Sequence, residues 1–121
     1  MIKSLNTGSI LIKVFLTLLV LLIMAFALVS GSDEYGGGFK GIIQNSPNTL
    51  PWLALLIPVL ISWKYEKIGA VLITVLGLVT VYFFNTGPNF FITTFFATLT
   101  IPVCGIALWL IANAKVKLRA T

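Results

Sequence analysis

Apolar residues in this chain come in long runs and not in alternation with polar ones. The first run covers residues 10–29, with only Lys13 and Thr17 interrupting its first half. A second covers residues 49–65, a third 68–84 and a fourth 90–112. At about 1.5 Å per residue, helices of these lengths cross a hydrocarbon layer about 30 Å thick or come close to it. The second and third runs sit at the lower limit for a span. A membrane β-barrel needs alternating positions and at least about eight strands, which these runs do not offer. The pattern therefore predicts a single all-α domain over residues 1–121, an integral membrane four-helix bundle.

The segments between the runs carry turn chemistry. Residues 30–48 contain Ser32, Asp33, Glu34, the triplet Gly36, Gly37 and Gly38, and then Gln44, Asn45, Ser46, Pro47 and Asn48. They are expected to form an outer loop, with Phe39, Ile42 and Ile43 as its few interfacial anchors. Pro51 suits the first turn of the second helix, where its missing N–H is not needed. Lys64, Tyr65, Glu66 and Lys67 leave so short a connection that the second and third helices must form an antiparallel hairpin. Asn85, Thr86, Gly87, Pro88 and Asn89 are strong breakers before the fourth. Residues 113–121 are expected to be a basic tail. The first run, with Lys13 near its start and Ser30, Gly31 and Ser32 after it, also has the outline of a secretory signal. Signal cores usually extend over about 7–15 residues, and this run is at or beyond that limit, so an uncleaved span is expected.

Composition makes the membrane assignment independent of any helix boundary. The chain has 121 residues, 59% of them hydrophobic and 9% charged, with a mean hydropathy of +1.08. Soluble domains carry about 25% charged residues. So short a chain cannot enclose this much apolar surface within itself, and lipid has to cover the remainder.

The net charge of +5 would suggest a nucleic-acid partner if the basic residues formed a patch, but they cluster at the ends of the apolar runs. With four spans, Lys3, Lys13, Lys64, Lys67, Lys115, Lys117 and Arg119 share one side and only Lys40 lies on the other. The positive-inside rule then places both termini in the cytoplasm, N-in and C-in, as in a multi-pass protein of a bacterial inner membrane. Trp52 and Tyr82 are expected near the outer interface, and Trp63, Tyr65 and Trp109 near the inner one.

Little in the sequence suggests chemistry. Cys104 is the one cysteine and histidine is absent, so no intrachain disulfide, thiolate cluster or imidazole base is available. The acids are Asp33, Glu34 and Glu66. The first two are expected in a solvated loop. Glu66, between Lys64 and Lys67, is expected to pair locally, and its replacement by alanine to be nearly silent. Lys13 is expected to extend its amine to the headgroups. The glycine triplet lacks the strand, lysine and helix of a phosphate loop. No catalytic, cofactor-binding or metal-binding residue is assigned.

Packing signals are clearer. Ala70, Thr74 and Gly77 on the third helix, and Thr94, Thr98 and Gly105 on the fourth, are helix-packing or partner-docking candidates, because small residues let backbones approach in lipid. Pro58 and Pro102 are expected to kink their helices. Phe83, Phe84, Phe90, Phe91, Phe95 and Phe96 gather at the outer end, facing lipid, a quinone-like ligand or another protein.

Pro58 followed by Trp63, Lys64, Glu66, Gly69 and Ala70 resembles a hairpin of small bacterial multi-pass membrane proteins of unknown function. There, a proline-containing helix ends in Trp and a basic residue, the turn carries a Glu, and a Gly opens the next helix. The resemblance implies a small prokaryotic membrane protein and brings no activity. The expected role is thus a non-catalytic accessory subunit of a larger membrane complex, partnered by lipid and other integral membrane subunits. The alternative is a homo-oligomeric channel or small transporter with a path lined by Thr74, Thr94 and Thr98.

Overall fold

A computed structural model describes residues 1–30, 32, 35–87 and 92–120. The Asp33–Glu34 pair, the turn residues Pro88 and Asn89, and the Phe90–Phe91 pair lie outside the described residues. All regular structure among the described residues is helical: α1 (Ile2–Ser30), α2 (Gly38–Asn45), a 3-10 turn (Ser46–Thr49), α3 (Leu50–Lys64), α4 (Glu66–Asn85) and α5 (Ile92–Ala120).

The helices outrun the apolar stretches that foretold them. α1 starts at Ile2 and not at residue 10, and α5 continues through residues 113–120, expected as a tail. Hydropathy marks only the part of a helix that lipid favours. Backbone hydrogen bonding goes on beyond it wherever the residues are good helix formers, as the Ala-, Lys- and Arg-containing end of α5 is. Residues 38–45, expected within a loop, form α2.

α1, α4 and α5 are each long and apolar enough to cross a membrane. α3, with 15 residues, spans only about 22 Å. Together with α2 it qualifies as a pair bent by 69°.

The return from α1 into α2 relies on glycine. Gly36, Gly37 and Gly38 have φ of 90, 70 and 67°, values that residues with a Cβ adopt rarely. Asn45, fully buried at the far end of α2, donates from Nδ2 to the carbonyls of Ala27 at 2.9 Å and Leu28 at 2.8 Å. It thereby partners carbonyls in the last turn of α1 that lack acceptable intrahelical donors.

Between α3 and α4 only Tyr65 (φ −118°, ψ 81°) leaves the helical conformation, so the two helices separate from near contact. A Cβ on Gly69 would collide with the Ser62 backbone. Further along, a Cβ on Gly77 would lie 2.8 Å from the nitrogen of Pro102, and one on Gly105 would lie 2.8 Å from the nitrogen of Thr74. α4 and α5 therefore cross backbone to backbone, with the Pro102 ring in the contact. Both Pro58 and Pro102 sit inside helices that remain continuous.

α1 packs on α3 and α5, and α4 packs on the same two helices. Leu16 and Val20 of α1 meet Leu55 and Val59 of α3, Ala70 and Ile73 of α4, and Ile101 and Leu108 of α5 in the core. Trp52 is buried and stacks on Phe84 with ring centres 5.2 Å apart. The outward faces are apolar as well: Leu22 is 69% exposed, Phe26 73% and Tyr82 72%. Apolar surface of this extent marks a membrane or protein contact.

Candidate functional site

Among the described residues, the charged side chains that the helices enclose gather at one end. Asn6, Ser9, Lys13 and Thr17 recur every three or four residues on α1, which places them on one face. That face continues into the buried Leu16 and Val20, so it points inward. Glu66 opens α4, where the helix dipole favours an acid, and Lys115 lies near the end of α5, where it favours a base.

These side chains converge on the Glu66 carboxylate. Lys13 Nζ lies 2.8 Å from Oε2, and the Ser9 hydroxyl donates to the same oxygen at 2.7 Å. Lys115 Nζ straddles the carboxylate, 2.9 Å from Oε1 and 3.0 Å from Oε2, with its directed hydrogen bond to Oε2. Oε1 thus has an ion-pair contact but no hydrogen bond of good geometry. Lys115 also donates to Asn6 Oδ1 at 3.1 Å. Side-chain exposures of 9% for Lys13, 11% for Lys115 and 16% for Glu66 mean that water shields the cluster little.

The cluster extends to α3. The Lys13 ammonium sits 5.5 Å from the centre of the Trp63 ring, within cation–π range. Trp63 in turn donates from Nε1 to Thr17 Oγ1 at 3.1 Å. All four long packing helices are therefore tied together at this end.

Two expectations are corrected. Glu66 does not pair with its neighbours: Lys67 is exposed, and Lys64 is exposed with its ammonium over the Tyr65 ring at 5.4 Å. Lys13 does not reach out to headgroups but turns inward to Glu66. In each case a partner distant in sequence lies closer than the local one, and an enclosed charge needs it more. Lys3, Lys117 and Arg119 are exposed at the same end. Asn6, Ser9 and Thr17 carried a legible signal, polar residues at helical spacing with Lys13 on an otherwise apolar helix.

The remaining candidates lie elsewhere. Ala70 is in the core, and the Thr74 hydroxyl donates to the Ala70 carbonyl at 2.8 Å. Thr98 donates to the carbonyl of Thr94 at 2.8 Å and accepts from Asn85 Nδ2 at 3.0 Å. The hydroxyl protons of Thr74 and Thr98 are thus donated within their own helices. Thr94 and Thr98 line an open groove of about 420 Å³ with Ile23, Phe26, Trp52 and Ile101. Among the described residues no three His, Cys, Asp or Glu side chains come together that could hold a metal ion.

Fold and site define an all-helical chain with three helices of membrane-crossing length and an enclosed ion cluster at one end. It belongs to the family described as Domain of unknown function (DUF7670), which it matches over residues 6–120, a stretch that includes every member of the cluster. No curated protein and no solved structure matches it.

Proposed function

We propose that this chain is a four-span bundle of a bacterial inner membrane, with both termini cytoplasmic, that serves as a non-catalytic accessory subunit of a larger membrane complex. In this reading α3 and its bent continuation α2 supply the fourth span. One observation carries the role: Lys13, Glu66 and Lys115, charged groups that the helices enclose, pair inside the bundle, while the outward faces present large apolar side chains. Such a chain offers neighbours a rigid apolar surface and offers substrates nothing reactive.

The orientation has its own support. The start of α1, the α3–α4 turn and the end of α5 meet at the cluster, so the exposed Lys3, Lys64, Lys67, Lys117 and Arg119 belong to a single end. Basic residues concentrated at one end mark the cytoplasmic side.

Purification of the tagged full chain from its native host in a gentle detergent, followed by native mass measurement, tests the role. A stoichiometric complex with other integral membrane proteins is expected. A monodisperse assembly of this chain alone that conducts or transports in liposomes would overturn it in favour of a channel or transporter.

A further inference from the structure

The enclosed cluster is not electrically balanced. It holds the ammoniums of Lys13 and Lys115 against the single carboxylate of Glu66, which leaves an excess of one positive charge. An enclosed net charge calls for a counter-charge. The two lysines are also unequally satisfied. Lys115 has both Glu66 oxygens and Asn6 within reach. Lys13 has Glu66 Oε2 and the Trp63 ring, although an ammonium carries three donors. Through the Trp63 ring its ammonium faces α3, on the α1–α3 side of the cluster.

We propose that this corner binds the phosphate of an anionic phospholipid headgroup, which rests on the membrane reading above. Tyr65 interrupts the helices beside Glu66, and such a break belongs at the edge of the hydrocarbon, where phosphates lie. Trp63 is 43% exposed and suits the same depth. Deeper into the bilayer, about two turns from Lys13 on α1 and one turn from Trp63 on α3, Leu21 and Leu60 are exposed at 45% and 53%, which provides apolar surface for an acyl chain. The phosphate supplies the missing negative charge, and Lys13 donates to its oxygens.

Native mass spectrometry of the detergent-purified full chain with added phosphatidylglycerol or phosphatidylcholine tests the site. The wild type is expected to retain phosphatidylglycerol in preference to phosphatidylcholine. Lys13→Gln lowers that occupancy about fivefold, the worth of one basic side chain at an anionic surface, whereas Lys13→Arg and the surface control Lys64→Gln retain it. Equal retention of both lipids by the wild type overturns the site without requiring any variant to fold, as does equal loss in Lys13→Gln and Lys64→Gln. Displacement of the lipid by excess inorganic phosphate assigns the site to free phosphate instead and overturns the lipid assignment. A carboxylate from a co-purifying subunit found in contact with Lys13 does the same. Failure of the membrane reading is separate: the chain would then be extracted from cells without detergent.

Discussion

Removal of the Glu66 carboxylate is the sharpest perturbation this fold offers. Lys13 and Lys115 lie 2.8 and 3.0 Å from the same oxygen, so at most about 6 Å separates their ammoniums, and at an effective dielectric of about 20 they repel by about 3 kcal/mol once the carboxylate is gone. Breaking an enclosed ion pair by deleting one partner typically costs about 3–5 kcal/mol, which agrees. Glu66→Ala is therefore expected to lower unfolding free energy by about 3 kcal/mol, measured by denaturant titration in mixed micelles with helical circular dichroism as readout. Lys13→Met leaves Glu66 paired with Lys115 and is expected to cost about 1 kcal/mol. The double variant removes the repulsion and is expected to recover more than half of the Glu66→Ala loss. A Glu66→Ala change below about 1 kcal/mol, or a double variant equal to the sum of the singles, would refute the idea that the cluster is an enclosed, coupled unit.

Three other outcomes follow from particular contacts. Gly77→Ala puts a Cβ 2.8 Å from the Pro102 nitrogen and is expected to cost about 1–3 kcal/mol in the same titration, because neither backbone can yield easily. Asn45→Ala removes two hydrogen bonds to the Ala27 and Leu28 carbonyls; a loss of about 1–3 kcal/mol is expected, with faster amide hydrogen exchange confined to the end of α1 and to α2. Thr98→Val removes the acceptor of Asn85 Nδ2 at about 1 kcal/mol, and unchanged stability would show that this bond between α4 and α5 is exchanged for another.

The three helices of membrane-crossing length were legible in the chain because long apolar runs follow one-dimensional rules. A long apolar run must satisfy its own backbone, so it becomes a helix wherever it occurs. Hence α1, α4 and α5 lie where the runs lie. α2 was not legible for a complementary reason. Its entry depends on three successive glycines with positive φ and its anchoring on the single side chain of Asn45. The partner carbonyls are 17 and 18 residues away in sequence, and no periodicity reports such a bond.

The ion cluster shows what separates a charge's address from its partner. Glu66 stands between two lysines in sequence, and local spacing favours pairing with them. Water, however, solvates Lys64 and Lys67 well enough that such a pair gains little. Glu66 gains far more by facing Lys13 and Lys115, whose own enclosure makes an opposite charge necessary. The choice of partner therefore depends on which lysines the other helices bury, a property of the assembled fold. What α1 does reveal alone is its inward polar face, Asn6, Ser9, Lys13 and Thr17, because a helix in lipid that sets aside one face for polar residues must have something polar opposite. On that ground, a lone charge on the inward face of a membrane helix is better paired with the most distant opposite charge at the same depth than with the nearest in sequence.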